Sequence, residues 1–530
     1  MIPDGASPSI GPRSGPRAGR LSSSVAFALT ASATAGLIAL LLCWRIGEVP
    51  PLLNQDEAGF GLASYLLTTT GRDYFGNLLP AFVGYFDNHQ LGGAMLAYWA
   101  IPFVKLFGLS IPTLRLSMVA LSLVGLALFA LLAWKLSVDR WVALAGTVLL
   151  ATSPLFFMQS RQFLEMLLPI PFIVGWLICV RAYDARGDES LIVIAGAVLG
   201  LAYYSYGTAR MVAPLYLALT LVLYLWLRKC SWRAAAGSVA VFCLLMVPAA
   251  VFVGREPHLY LERFRSLSWL SDGMTPPAIV AAFAGHYVAA FDPGDLFLRG
   301  DASLVHSTGR SGVFLLAGAP LALAGLITMA RSAVRKRDGF STLVLLSIAL
   351  FPAPLALLEE VHSPARATYL LPLYGVVCVA GIQSLARWRP RASRGKALLL
   401  VLALAYTVEA GMFISDYFEG YPGRVLADAG VNGKDPAPFR ALMAGAESQL
   451  FYDVEDTTTT TFARFFAAES GFKGALLPAP PAWADRLPPG GAVLTPRPDE
   501  YGPGFETVRT VPRPTPGRPA YTIIRKRATP

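Results

Sequence analysis

Two adjacent acids, Asp56 and Glu57 in NQDEAGFG (54–61), are the residues whose type and setting first suggest chemistry. A carboxylate can take a proton from an attacking hydroxyl or amine, or hold a divalent cation through its oxygens. The same stretch of chain carries Asp73 in GRDYFG (71–76), and Asp87 and His89 in GYFDNHQ (84–90). Acids that are merely solvated would look alike at this level, so their placement has to decide. A second set is cationic: Arg161, Arg210, Arg310 and Arg366 each flank an apolar run, and His306 stands four residues before Arg310. Arginine matches phosphate geometry better than lysine, with interfacial snorkelling as the ordinary alternative. Arg161 and Glu165 are spaced for an ion pair on one helix face. Glu409 lies inside the last apolar run, where an acid is either functional or snorkels outward.

The elements that position these residues are membrane helices. Of the 530 residues, 55% are hydrophobic and 15% charged, against roughly a quarter charged in soluble domains. A spanning helix needs about 20 apolar residues. Eleven runs qualify: Val25–Trp44, Thr113–Trp134, Trp141–Met158, Phe163–Val180, Leu191–Tyr206, Met211–Leu227, Ala234–Val253, Val313–Ala330, Phe340–Leu358, Ala367–Ala386 and Ala397–Ile414. A twelfth, Leu91–Phe107, is short and holds Pro102 and Lys105.

Lysine and arginine concentrate on cytoplasmic connections. With eleven spans and the N-terminus inside, the basic clusters 135–140, 181–186, 228–233, 331–337 and 387–396 all fall inside. A twelfth span would put the later clusters outside, so Leu91–Phe107 is expected to lie along the outer interface. TPPAIVAAFAGHYVAAF (275–291) is likewise expected on the membrane surface. The basic residues lie between apolar runs rather than along a polar face, which excludes a nucleic-acid partner.

The fold expected is an all-α polytopic membrane protein with about eleven spans and interfacial helices in the first outer loop. Residues 1–24, rich in Pro, Gly and Ser, form a disordered cytoplasmic tail, with Val25–Trp44 an uncleaved first span. Residues 25–415 form the membrane domain, with outer loops 45–112 and 254–312. Residues 416–530 are expected to form a small α/β domain on the outer face, from β-like runs at 448–454, 491–496, 505–512 and 520–526. The five cysteines lie in apolar runs or a short basic connection, without the spacing of a disulfide framework or zinc site.

The order of these features resembles the GT-C class of lipid-dependent glycosyltransferases, within it the bacterial group related to protein O-mannosyltransferases and lipid A aminoarabinose transferases. The residues that carry the resemblance begin with Asp-Glu of NQDEAGFG after the first span, the turn GRD (71–73), KLFG (105–108) and LRLS (114–117). SRQFLEM (160–166), YYSYGTAR (203–210), DLFLRGD (295–301) and ARATYLLPLY (365–374) follow, so it covers about residues 25–415. It implies transfer of a sugar, with inversion, from a polyprenyl-phosphate donor to a protein or glycolipid acceptor outside a bacterial cytoplasmic membrane.

It also implies roles. Asp56, with Glu57 beside it, acts as general base or cation holder. Arg310 and Arg366 map to the cationic residues that hold the donor phosphate; from their own placement Arg161 is a further phosphate candidate, and Asp73, Asp87, His89 and His306 are candidate substrate-loop residues. A divalent cation stays open as a cofactor. Relatives often start the interfacial helix with a Lys-Pro-Pro-like segment where this chain has DNHQLGG (87–93), which removes a lysine contact to phosphate. A transporter or flippase would instead need polar residues at mid-membrane and repeated halves. A glycan ligase or polymerase using the same carrier remains a second alternative.

Overall fold

The computed structural model describes residues 18–84, 91–137, 139–271, 273–360, 363–387, 392–428, 433–445, 449–456, 458–513 and 519–527. Lipid offers no partner to a backbone N–H or C=O, so apolar runs satisfy themselves as helices. Residues up to Leu41 form one compact unit, the body of helix α1 (Ala18–Cys43), and Leu42–Pro530 form the other.

In the second unit a short strand, β1 (Leu53–Asn54), leads into α2 (Gln55–Thr70). Asn54 caps that helix, accepting from the Asp56 N–H, while Glu57 reaches back to the Asn54 N–H; this is a capping box. Gly71 closes it in the left-handed conformation (φ 69°). Strands β2 (Phe82–Gly84) and β3 (Leu91–Gly93) pair antiparallel, and α3 (Met95–Phe107) follows. The 13 residues of α3 rise only about 20 Å, short of the roughly 30 Å hydrocarbon core. The helix Ser190–Ala202 is equally short, so the interfacial placement of α3 rests on the distribution of basic residues between the spans.

The membrane helices then run as α4 (Ile111–Leu136), α5 (Arg140–Ala151), α6 (Pro154–Gln159), α7 (Pro169–Arg186), α8 (Ser190–Ala202), α9 (Ala209–Trp226) and α10 (Trp232–Arg255). Two helices of the second large loop follow, α11 (Pro257–Leu267) and α12 (Pro276–Ala289); α12 buries none of its side chains. The bundle ends with α13 (Ala319–Lys336), α14 (Gly339–Leu350), α15 (Pro352–Leu355), α16 (Leu370–Ala386) and α17 (Ala392–Glu419). Among the described residues seven helices are long and apolar enough to cross a membrane. The shorter α5, α8, α14 with α15, and α16 occupy the other predicted spans. The protein is a polytopic membrane protein.

Two expectations are corrected. Trp141–Met158 is not one helix but α5 and α6, broken at Thr152 and Ser153 ahead of Pro154, because a proline disfavours helical backbone in the residue before it. The helix also ends at Gln159, so Arg161 and Glu165 do not share a helix face; Glu165 opens a separate 3-10 turn. Small residues bring helices close: a Cβ on Gly325 of α13 would stand 1.9 Å from the Val377 carbonyl oxygen of α16.

Beyond α17 the chain forms a small C-terminal domain. Its elements are α18 (Tyr421–Ala427), β4 (Gly433–Lys434), α19 (Pro436–Met443), β5 (Gln449–Tyr452), α20 (Thr459–Ser470), β6 (Ala475–Pro478), β7 (Ala492–Thr495), β8 (Phe505–Val511) and β9 (Tyr521–Lys526). The sheet order is β6-β5-β7-β9-β8. β5 is parallel to both β6 and β7, with α20 as the crossover parallel strands require, and β9 runs antiparallel to β7 and β8. Phe451, Val493, Tyr501 and Ile524 centre one core cluster. β6, in GALLPAP, carries little β signal and was not expected. β4 lies outside this sheet and pairs with β1.

Candidate active site

The loop between α1 and β1 has no ladder to take its carbonyls, and buried carbonyls need donors. Two fully buried arginines supply them. Arg115 of α4 uses all of its five N–H donors: Nη1 to the carbonyls of Ile46 (3.2 Å) and Pro50 (2.8 Å), Nη2 to Leu52 (3.0 Å), and Nε and Nη2 to the Glu57 carboxylate (2.9 Å each). Arg161 donates Nη1 to the Leu42 carbonyl (2.7 Å) and Nη2 to those of Trp44 (2.6 Å) and Val49 (3.2 Å). Its guanidinium also lies over the Phe418 and Tyr417 rings, 4.8 and 5.3 Å from their centroids.

Glu57 is therefore occupied. Besides Arg115 it accepts from the Phe163 N–H (3.0 Å) and the Asn54 N–H (3.1 Å), and it is 1% exposed. Successive helical residues diverge by about 100°, so while Glu57 faces the interior its neighbour Asp56 faces a cavity of about 610 Å³. Six segments contribute most of its wall: Asn54, Gln55 and Asp56 at the start of α2; Leu164–Met166; Tyr206, Gly207, Thr208, Arg210 and Met211; Tyr260, Phe264 and Leu267 of α11; Ser303, Val305 and His306; and Glu360, Ser363 and Arg366. Leu91, Met211, Leu267, Pro354 and Leu358 make part of the wall apolar.

The cationic side is Arg210 and Arg366. Arg366 pairs with Glu360 (Nη2 to Oε2, 2.6 Å), and its backbone carbonyl accepts from the Thr208 hydroxyl (3.0 Å). Arg210 lies over the rings of Phe82 (4.7 Å) and Tyr260 (5.4 Å). Among the described residues the buried Nε of each arginine has no hydrogen-bond partner. A buried donor left so costs about 1–3 kcal/mol, which an anion in the cavity would relieve. Arg210 was only one of several interfacial arginines by sequence; its sole signal was an arginine at an end of a span where orientation statistics deplete it.

His306 is half-buried, and its Nδ1 lies 3.1 Å from Gln159 Nε2, while Gln159 and Gln162 both donate to the Val305 carbonyl. Burial pushes its imidazole below the usual range; Asp301 opposes this and the Arg366 charge adds to it. Asp301 accepts from Ser363 Oγ and the Ala365 N–H (3.1 Å each), tying the His306 loop to the Arg366 turn. Glu165 accepts from the Gly93 N–H (3.3 Å) at the cavity wall.

Other expected site residues stand elsewhere. Arg161 is enclosed among main-chain carbonyls and does not line the cavity. Arg310 is 69% exposed beside Asp416, 3.6 Å away, and does not line it either. Asp73 is buried in its own turn, accepting from the N–H groups of Phe75 and Asn77 and from Asn77 Nδ2. Asp87 and His89 lie outside the described residues. Glu409 accepts from the N–H groups of Leu316 (2.7 Å) and Ala317 (2.8 Å), capping the turn that opens α13. Among the described residues no three His, Cys, Asp or Glu side chains converge as a metal site.

No protein-family model and no curated protein matches this sequence. Solved structures do match. ArnT from Cupriavidus metallidurans bound to undecaprenyl phosphate is similar over 95% of this chain and 98% of its own, at 14% identity and a TM-score of 0.56. The oligosaccharyltransferase of Archaeoglobus fulgidus tethered to an acceptor peptide is similar over 85% of this chain and 63% of its own, at 15% identity and a TM-score of 0.50. The same archaeal protein, AglB, with an inhibitory peptide and a dolichol-phosphate gives 14% identity and a TM-score of 0.50. Over 85–95% of its length, then, this chain has the fold of the GT-C membrane glycosyltransferases.

Proposed function

We propose that this protein transfers a sugar from a polyprenyl-phosphate donor to a protein or glycolipid acceptor, with inversion, at the outer face of a bacterial cytoplasmic membrane. Its N-terminus then lies inside and its C-terminal domain outside. One observation carries the reading: one cavity is lined by Asp56 together with Arg210 and Arg366, whose buried Nε donors lack partners among the described residues. The fold adds support, since neighbours carry undecaprenyl phosphate and dolichol-phosphate, both polyprenyl phosphates.

In this reading the acceptor's nucleophilic atom attacks the anomeric carbon as Asp56 takes its proton. The bond from that carbon to the phosphate oxygen breaks, and polyprenyl phosphate leaves with the electron pair. Arg366 and Arg210 stabilise its charge, and Glu57 with Arg115 hold the helix that presents Asp56. Positioning and charge neutralisation carry most of the task for a leaving group already this stable.

The test is purified protein in liposomes with a radiolabelled monosaccharide-phosphate polyprenol and an envelope acceptor fraction. The wild type consumes the donor, and Asp56→Asn loses about a hundredfold or more in turnover, as loss of a general base does. Near-normal turnover in a folded Asp56→Asn protein would remove Asp56 from the reaction. An unconsumed donor with wild-type protein would remove the donor class.

A further inference from the structure

The helix bearing Asp56 meets the C-terminal domain twice. β1 pairs with β4, with Leu53 opposite Lys434 and Asn54 opposite Gly433. Two turns along α2, a Cβ added to Gly61 would stand 2.8 Å from Phe465 of α20 and 2.5 Å from Leu114. The first contact is the telling one, because Asn54 is the residue that caps α2 by accepting from the Asp56 N–H.

Lys434 is 6% exposed, and its ammonium is held by Glu455 (3.0 Å) and Asp456 (2.6 Å). Glu455 in turn accepts from the Tyr521 hydroxyl (2.7 Å) and from Arg513 (3.0 Å). Among the described residues these two carboxylates hold the buried ammonium, so their positions fix its own. The contacts run unbroken from the sheet of the C-terminal domain through Lys434 to Leu53 and Asn54, and so to Asp56. On the membrane side the same stretch is fixed by Arg115 at the Leu52 carbonyl and by Glu57 at the Asn54 N–H.

We infer that Lys434 is a positioning residue for Asp56, and that the C-terminal domain forms one half of the clamp that sets the catalytic carboxylate. The inference rests on the role given to Asp56 above. It makes the domain part of the transfer machinery rather than an appendage.

The experiment uses the full chain in liposomes and compares Lys434→Met, Lys434→Arg and Asp453→Asn. Asp453, buried in the same domain just after β5, pairs with Arg497 (2.7 Å), but neither residue belongs to β1, β4 or the Lys434 cluster. Lys434→Met should lower kcat by about tenfold with donor KM unchanged within about twofold, as a small displacement of a catalytic group does. Lys434→Arg should recover most of kcat, and Asp453→Asn should leave it intact.

Hydrogen exchange of the Asn54–Phe60 amides gives a readout independent of activity. Their protection should fall about fivefold or more in Lys434→Met and stay at the wild-type level in Asp453→Asn. Unchanged protection in Lys434→Met, or an equal loss in Asp453→Asn, overturns the inference. Wild-type protein that transfers nothing, while the exchange result holds, faults the sugar-transfer reading and leaves the coupling standing.

Discussion

Asp56 and Glu57 are neighbours with opposite fates, and the difference is which way the first turn of α2 aims each of them. Glu57 accepts from Arg115, Phe163 and Asn54 in the interior, so it has little capacity left for a substrate. Asp56 faces the cavity. The arginines divide in the same way. Arg115 and Arg161 spend their forks largely on main-chain carbonyls, whereas Arg210 and Arg366 line the cavity and, among the described residues, their buried Nε groups lack partners. The phosphate site proposed above accordingly uses the second pair. Arg366→Ala and Arg210→Ala should each raise donor KM about tenfold or more, since hydrogen bonds to charged groups contribute about 1.5–3 kcal/mol, and should leave acceptor KM within about twofold. Arg310→Ala, far more exposed and paired with Asp416, should do neither. Initial rates over a donor titration decide the matter. Equal donor KM in Arg366→Ala and wild type would return the phosphate to a different wall.

At the scale of elements, the sequence carried the spans because lipid demands long apolar runs, and it carried α2 through the pattern Asn54-x-x-Glu57. It also carried four strands of the C-terminal sheet as short runs of apolar, aromatic and β-branched residues between turn residues. It could not tell which carbonyls of the loop Leu42–Leu52 would lack partners, so nothing marked Arg115 and Arg161 as their donors. Arg161 consequently looked like a phosphate ligand. The Ser153-Pro154 break was legible in principle, but an apolar run on both sides masked it. Arg210 needed the fold, since its place beside Phe82 and Tyr260 joins segments far apart in sequence. The clamp itself is testable. Arg115→Met leaves Glu57 charged and buried, and removing one partner of a buried pair costs about 3–5 kcal/mol. The double variant Arg115→Met with Glu57→Leu removes that uncompensated charge and should melt above the single variant, though below the wild type because the loop carbonyls stay unsatisfied. Thermal unfolding of the two proteins in detergent is the measurement. A double variant that melts below the single one would show that Glu57 is not the source of the loss.

Across the whole molecule, charge is unevenly distributed. The long apolar helices hold few titratable groups, while the C-terminal domain concentrates ion pairs that bear on the α2 start. Burial works against the Glu455 carboxylate, but the Arg513 hydrogen bond, the Lys434 charge and the Tyr521 hydroxyl outweigh it and bring its pKa to about 2 from 4.5. Asp456 is likewise opposed by burial and is carried from 3.8 to about 2 by the Lys434 hydrogen bond and charge, with help from Thr458. Both shifts are downward in the folded state, so the unfolded chain binds more protons between the two values and stability rises with pH there. The contribution is complete above about pH 4.5 and is lost as pH falls towards about 2. Amide exchange across Gln449–Lys526, corrected for intrinsic rate, should accelerate over that window while the cores of α4 and α7 stay protected. Because Lys434 transmits the loss to β1, the Asn54–Phe60 amides should loosen over the same window. A variant carrying Glu455→Gln and Asp456→Asn should already be loosened at pH 6 and show no further slope. Protection that stays level from pH 5 to pH 3 in the wild type would mean that these carboxylates do not hold the domain in place, and the acid response of the molecule would then have to originate in the cavity instead.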